Sequence, residues 1–230
     1  MSIFAIGDTH LSLSTDKSMD IFKGWSDYIK RLEKNWQAVV SNEDTVVIPG
    51  DISWAMDLKN AKEDFEFLNN LAGNKILLKG NHDYWWSTMK KMNEFLEQNK
   101  FNSIQFLFNN AIEVGDFVIC GTRGWFFDDE SSDAQKVLLR EIGRLKTSID
   151  CAKKTGKEPI AFLHYPPITE LAVCEPIMKV LKENQIRRCY YGHLHSESLK
   201  RAYRNEYDGI KFDVVSADFL EFCPKIIEKV

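Results

Sequence analysis

Residues 45–51 read Thr-Val-Val-Ile-Pro-Gly-Asp, a short apolar run that closes with a glycine and a carboxylate. Four consecutive apolar or β-branched residues without alternation are typical of a strand buried on both faces, as in a parallel sheet. In such sheets, ligands bind beyond the carboxyl ends of the strands. The pattern therefore predicts a buried parallel strand that carries Asp51 into a functional site.

The same arrangement recurs elsewhere in the chain. Each predicted strand ends just before residues that can ligate metals: Ser2 to Ile6 before Asp8 and His10, Lys75 to Leu78 before Asn81, His82 and Asp83, Ile160 to Leu163 before His164, and Cys189 to Tyr191 before His193 and His195. A further strand is expected at Phe212 to Val215. Strands that alternate with helical patterns predict an α/β fold, and these loops would meet at one edge.

Helical periodicity fills most of the segments between the strands. Apolar residues recur at helical spacing from Ile21 to Val39, from Leu58 to Leu71, from Leu138 to Ala152 and near 173–182, and a helix is also expected at 84–98. The middle of the chain differs, because the runs at 104–108 and 117–120 are interrupted by Asn109-Asn110 and Gly115-Asp116. These interruptions predict tight turns between antiparallel strands.

Length and composition indicate one ordinary globular unit. The chain has 230 residues, of which 44% are hydrophobic and 28% charged, so we expect a single domain over residues 1–230. The net charge of −4 argues against broad binding of nucleic acid or of anionic membranes. Five cysteines without close pairing predict free thiols, and without a signal segment or a membrane span we expect a cytoplasmic protein.

All five histidines lie in the segments that follow the predicted strands. Taken alone, each could be a structural residue; Asp8 and Asp51 could cap turns, and Asn81 could form an Asx turn. Taken together, imidazole, carboxylate and amide oxygen are the donors that hold divalent first-row metals. The sequence thus predicts a metal site built from distant loops.

The ordered motifs Asp8-Thr9-His10, Gly50-Asp51, Gly80-Asn81-His82-Asp83, His164 and Gly192-His193-Leu194-His195 resemble the calcineurin-like metallophosphoesterase superfamily, and in particular a small bacterial branch of predicted phosphohydrolases. The resemblance implies a four-layer α/β/β/α sandwich. It also implies two metal ions, one held by Asp8, His10 and His195 and the other by Asn81, His164 and His193, with Asp51 bridging both.

The resemblance further implies hydrolysis of a phosphoric ester. Two divalent ions can share a water and lower its pKa from ~15.7 toward neutrality, which gives a hydroxide that attacks phosphorus. His82 would face the oxygen of the leaving group and act as a general acid. The substrate would be a small phosphodiester or phosphomonoester, and Mn, Fe, Zn and Co all suit these ligands.

Two departures from the family pattern concern the surroundings of His82. Many members have a carboxylate three residues after the bridging aspartate, and many protein phosphatases of the superfamily have an arginine directly after it; this chain has Trp54 and Ala55 there. Asp83, Asp57 or a backbone carbonyl could orient His82 instead, and the missing arginine disfavours a phosphoprotein phosphatase. Arg123 is the candidate contact to phosphate, with pairing to Asp128 or Asp129 as the alternative.

Other interpretations stay open at this point. A nuclease of the same superfamily would share every motif, although the net charge of −4 counts mildly against it. A non-catalytic scaffold of the same fold usually loses ligands, and here each expected ligand is present. The tryptophans near the motifs, Trp54, Trp85, Trp86 and Trp125, could form an aromatic wall for substrate or could fill the core under the loops.

Overall fold

A computed structural model of the chain describes residues 1–125 and 132–230 and contains two β-sheets flanked by helices. The strands are β1 (Ser2–Ala5), β2 (Thr45–Pro49), β3 (Asn74–Leu78), β4 (Ile104–Phe106), β5 (Ile112–Val114), β6 (Phe117–Thr122), β7 (Glu158–Leu163), β8 (Arg188–Tyr191), β9 (Glu206–Tyr207), β10 (Ile210–Val214) and β11 (Lys225–Lys229). The helices are α1 (Tyr28–Val39), α2 (Lys62–Asn70), α3 (Met89–Asn99), α4 (Ser132–Lys153) and α5 (Glu175–Glu183).

Both sheets are parallel in their centres. The first has the order β11-β1-β2-β3-β4, and Val47 of β2 lies between Ala5 and Ile76 of its parallel neighbours. The second has the order β5-β6-β7-β8-β10-β9, with β6, β7, β8 and β10 parallel. Antiparallel strands are confined to β11 in the first sheet and to the edge strands β5 and β9 in the second. Within each sheet, the carboxyl ends of the central strands therefore lie at the same edge. The parallel bridge between Gly7 and Ser216 brings these two edges together.

Three apolar clusters separate the layers. One lies between the sheets and includes Ile3 and Val47 from the first and Ile160 and Phe162 from the second. A second packs α1, α2 and α3 on the outer face of the first sheet, and a third packs α4 and α5 on the outer face of the second. The expected four-layer α/β/β/α sandwich is confirmed. Among the described residues, no helix combines the length and the apolar character needed to cross a bilayer.

The helix expected from Ile21 begins only at Tyr28, so its predicted start was wrong. Residues Met19–Ile21 form a 3₁₀ turn, and both Gly24 and Asp27 have positive φ (89° and 53°), which interrupts a helix. Ile21 is 84% exposed. Trp25 is buried, but it lies against His195 and not on the apolar face of a helix. Likewise, α3 begins at Met89 and not at Tyr84, because the Thr88 hydroxyl caps it.

The middle of the chain was predicted only in part. The turn at Gly115-Asp116 does join the antiparallel pair β5 and β6. The break at Asn109-Asn110 has a different role, since β4 pairs in parallel with β3 and belongs to the first sheet. The chain crosses from one sheet to the other at this point, which local turn chemistry alone does not reveal.

Candidate metal centre

Seven side chains with metal-ligating chemistry follow the carboxyl ends of five central strands: Asp8 and His10 after β1, Asp51 after β2, Asn81 after β3, His164 after β7, and His193 and His195 after β8. Backbone hydrogen bonds hold these loops together. Asp8 N donates to Gly50 O (3.0 Å), and His10 N donates to Asp51 O (2.9 Å). Gly7 N donates to Val215 O (2.6 Å) after β10, which joins the two sheets at the site.

Glycines allow this close approach. A Cβ on Gly50, whose φ is +94°, would lie 2.6 Å from Gly80 Cα and 2.7 Å from His164 Nδ1. A Cβ on Gly192 would lie 2.6 Å from an oxygen of the Asp8 carboxylate. The glycine of each motif is therefore required by packing against a ligand from another loop.

Four of the seven side chains stand on left-handed backbone: Asp8, His10, Asp51 and His193 have φ between 44° and 69°. Such conformations are uncommon for non-glycine residues and concentrate where function demands a particular side-chain direction. The loops are thus held in a conformation that local preference alone would not choose.

One group consists of Asp8, His10 and Asp51, all buried, whose donor atoms lie within 4.8 Å of one another. His10 Nε2 is 3.8 Å from Asp51 Oδ2. The ring of His195 lies beside this group, 5.4 Å from the His10 ring between centroids, although its donor atoms fall outside the 4.8 Å set.

A second group consists of Asp51, His164 and His193, again with donor atoms within 4.8 Å of one another. His164 Nε2 lies 3.5 Å from Asp51 Oδ1. The amide oxygen of Asn81 lies 2.7 Å from His164 Nε2 and 3.0 Å from His193 Nδ1. Asp51 belongs to both groups, and its two carboxylate oxygens face different groups.

These donors suit divalent cations. Both ring nitrogens of His10 are buried and, within the described part of the chain, have no hydrogen-bond partner, which is costly unless an ion takes a lone pair. His164 Nδ1 lies 3.0 Å from the carbonyl oxygen of Pro49, so Nδ1 carries the proton. Its Nε2 lone pair then faces the Asn81 oxygen, another acceptor, and a cation would satisfy both.

Burial sets the electrostatics of the site. It lowers the pKa of His10, His164 and His193 to about 3, so these imidazoles are neutral at pH 7, which metal binding requires. Burial also raises the pKa of Asp8 well above its usual value, and the neighbouring Asp51 raises it further. Two buried carboxylates that repel each other favour a bound cation.

His82 lies at the edge of the site, with its side chain 31% exposed. Its backbone N–H donates to Asp51 Oδ1 (2.8 Å), and its Nε2 lies 4.0 Å from Asp51 Oδ2. The ring contacts the indole of Trp54 (4.6 Å between centroids), and Nδ1 is 3.3 Å from the Tyr84 hydroxyl. Thus Trp54 and Tyr84 contact His82, where the resemblance implied a carboxylate at position 54.

Asp83 faces away from His82. Its carboxylate accepts hydrogen bonds from the backbone N–H groups of Gly80, Asp51, Ile52 and Ser53 (2.7–3.4 Å) and from the Trp85 indole (3.0 Å). Within the described residues, this set contains every hydrogen bond of the Asp83 carboxylate. Asp83 therefore clamps the loops that carry Asp51 and Asn81, and it does not orient His82.

Arg123 follows β6 of the second sheet. It contacts the His164 loop through its backbone and Glu141 through its guanidinium group. Its carbonyl oxygen accepts from His164 N (3.1 Å) and Tyr165 N (2.8 Å). Its guanidinium group lies 3.7 Å from the fully buried Glu141, a residue that no sequence pattern singles out. The suggested partners Asp128 and Asp129 lie outside the described residues.

The tryptophans near the motifs were expected either to fill the core or to form a wall for the substrate, and both positions occur. Trp85 is buried and donates to Asp83, and Trp86 packs on Phe106 at 5.4 Å between ring centroids, so both are core residues. Trp125 packs on Tyr165, which itself lies against His193. Trp54 is half-buried and stacks on His10 (4.8 Å, 21° between ring planes), which places it at the wall of the site.

Two residues near the site escaped the sequence analysis. Tyr84 supplies the hydroxyl next to His82, and Asp218 accepts a hydrogen bond from Ser196 N (2.6 Å) in the loop that carries His195. Asp218 follows a predicted strand, as the candidate ligands do. The same rule of strand ends would have singled it out.

Comparison with known proteins places the chain in a family. Residues 1–197 match the calcineurin-like phosphoesterase family, and the chain belongs to it; the family consists of dinuclear metal-dependent phosphoesterases. The protein therefore belongs to the class of metal-dependent phosphoester hydrolases. A search of curated protein sequences gave no match.

Solved structures share the fold at low sequence identity. AQ665 from Aquifex aeolicus, described as a protein of unknown function, is 19% identical with a TM-score of 0.52, covering 98% of this chain and 95% of that one. The phosphopantetheinyl hydrolase PptH from Mycobacterium tuberculosis is 13% identical with a TM-score of 0.53 and the same coverage. TT1561 from Thermus thermophilus is 10% identical with a TM-score of 0.50, covering 84% and 81%.

Proposed function

We propose that the chain hydrolyses the phosphate ester bond of a small substrate at a dinuclear centre formed by Asp8, His10, Asp51, Asn81, His164, His193 and His195. The observation that carries the proposal is the position of Asp51, whose carboxylate belongs to both donor groups. When bound, two divalent ions neutralise charge on the phosphoryl oxygens and lower the pKa of a water.

The remaining residues hold and orient the reactants. His82 lies at the edge of the centre beside Asp51, and this position supports its proposed role as the donor of a proton to the oxygen of the leaving group. Arg123 supplies positive charge beside His164, where it helps to lower the pKa of that imidazole, and is our candidate for a contact to phosphate. Ala55, where phosphoprotein phosphatases place arginine, favours a small ester over a phosphoprotein.

The substitution Asp51→Asn tests the bridging role. An amide has one acceptor oxygen and no charge, so it cannot hold two cations apart, and we expect loss of both metal ions and of hydrolysis of bis(p-nitrophenyl) phosphate. Metal content is measured by plasma emission spectroscopy alongside turnover. Asp208→Asn, an exposed aspartate paired with Lys182, is the matched control and should retain both properties. Near-normal turnover of the Asp51→Asn protein would refute the proposal.

A further inference from the structure

An apolar cavity of about 420 Å³ adjoins the candidate metal centre. Its apolar lining consists of Met19, Ile21, Phe22 and Trp54, and the polar residues Asp16, Lys17 and Ser18 complete it. This volume is within the range of small-molecule sites, about 300–1,000 Å³. The cavity and the metal centre share one wall, because the Trp54 indole also stacks on His10 and contacts His82.

The apolar lining is unusually exposed. Ile21 is 84% exposed and Phe22 is 49% exposed. The backbone holds them in this position: the Ser18 hydroxyl accepts from Asp20 N, Phe22 N donates to Met19 O (2.9 Å), and the Met19 side chain is buried beneath. Exposing two large apolar side chains to water beside a reactive centre is unfavourable in free energy. An apolar ligand that covers them would remove this unfavourable contribution.

The position of the cavity identifies the part of the substrate that would enter it. Trp54 separates it from His82, the residue proposed to protonate the leaving group. The indole is already stacked on His10 and has the Lys17 ammonium 5.4 Å above its ring, so it is not a free platform for a nucleobase. The open surface consists instead of Ile21 and Phe22, which recognise apolar groups without hydrogen bonds.

We propose that this cavity binds the alcohol part of the substrate, so that the enzyme acts on phosphate esters of hydrophobic alcohols. The proposal rests on the proposed function, since it assigns a specificity site to the same centre. It commits to an apolar aliphatic or aryl group as the occupant, because the exposed lining is apolar and Trp54 is the wall that the cavity shares with the metal centre.

Binding of n-alkylphosphonates tests the proposal without requiring turnover. We expect the affinity of the Mn²⁺-loaded protein, measured by calorimetry, to rise from methyl- to hexylphosphonate by about fourfold for each methylene that becomes buried. The double variant Ile21→Ser, Phe22→Ala should flatten this dependence while it binds methylphosphonate and Mn²⁺ normally. Leu171→Ser, at a leucine that is 75% exposed and does not line the cavity, is the matched control and should keep the wild-type dependence.

The outcomes separate the two proposals. If methylphosphonate binds but the affinity does not depend on chain length, the assignment of the cavity is overturned and the phosphoesterase centre stands. If no phosphonate binds to the metal-loaded protein, the proposed function itself fails. If sedimentation shows copies of the chain associating, and the double variant abolishes that association, the apolar surface is an interface between copies and the substrate assignment is likewise overturned.

Discussion

The His82 side chain is held by aromatic and hydroxyl groups and not by a carboxylate. Trp54 fixes the ring by contact, the Tyr84 hydroxyl lies 3.3 Å from Nδ1, and Asp51 accepts from its backbone N–H. None of these partners is a carboxylate that contacts Nδ1, so the ring is held by packing and by a hydroxyl group. We therefore expect its contribution to depend on how much help the leaving group needs.

Substitution of His82 by glutamine tests that expectation. For a phosphodiester with an alkyl leaving group, kcat should fall by about 10²–10⁴-fold, because no general acid protonates the departing oxygen. For p-nitrophenolate, which leaves without protonation, the loss should stay under about tenfold. Rates for both substrates and metal content provide the measurement. Equal losses for the two leaving groups would assign His82 to metal or phosphate binding instead.

Substitution of Asp83 by asparagine should lower the stability of the fold. The Asp83 carboxylate accepts hydrogen bonds from four backbone N–H groups and one indole, so Asp83→Asn turns an NH₂ group toward donors. We expect a loss of about 2–4 kcal/mol in the free energy of unfolding and weaker metal binding. Urea unfolding of metal-free protein measures the first effect, with Asp208→Asn as control. A change below about 0.5 kcal/mol would show that the clamp does not matter.

For individual residues, the sequence predicts the candidate ligands but not the contacts that orient their side chains. Each candidate ligand follows an apolar strand, a local pattern that the sequence displays directly. The contacts that orient them join residues far apart in the chain, such as Pro49 O with His164 and Glu141 with Arg123. The contacts of Asp83, one of three candidates to orient His82, could not be predicted for the same reason, because its partners lie in the loop that begins with Asp51 and only folding brings them together.

Among the elements, the junction of α2 and β3 has an unusual feature in the buried side chain of Lys75. This residue is fully buried, and its ammonium group donates to the carbonyl oxygens of Leu71 and Gly73 (2.7 Å each) just past the end of α2. Carbonyl groups at a helix C-terminus lack partners within the helix and attract positive charge. Lys75 therefore ties the end of α2 to the following strand.

Burial lowers the pKa of Lys75 to about 8 from 10.5, which predicts a pH dependence. Between these values the unfolded chain binds more protons than the folded one, so the contribution of Lys75 to stability rises with pH across this window. Relative to Lys75→Met, wild-type protein should gain at most about 3 kcal/mol between pH 8 and 10.5. Urea unfolding in EDTA measures this difference. Lys90→Met, at an exposed lysine, should show no such trend.

The elements themselves were predictable where one periodicity dominates. The buried strands and the long helix α4 are clear, because apolar residues there face a single environment. The start of α1 was missed because Ile21 and Trp25 continue the helical spacing by chance, although one is exposed and the other lies against His195. The strand β11 was missed as well: it pairs antiparallel with β1 from the opposite end of the chain.

Considered as a whole, the molecule divides its candidate metal centre between two sheets. Asp8, His10, Asp51 and Asn81 follow strands of the first sheet, whereas His164, His193 and His195 follow strands of the second. The sheets also meet through an apolar interface, through the hydrogen bond from Gly7 N to Val215 O and through the ion pair of Arg188 with Glu228, and none of these contacts depends on metal. Ions held by both sets of ligands would add a link between the sheets that exists only in the folded state, because the unfolded chain does not bring the ligands together.

Metal binding should therefore stabilise the whole fold and not one half of it. At a free Mn²⁺ concentration a hundredfold above the dissociation constant of a site, we expect about 2.7 kcal/mol of added unfolding free energy for each occupied site. Fluorescence and circular dichroism should report one shared transition, shifted to higher urea by Mn²⁺ and back by EDTA. The Asp51→Asn protein should show little shift, since it lacks the carboxylate common to both groups. Two separate transitions, of which Mn²⁺ moves only one, would mean that the ions bind within one sheet and leave the other untouched.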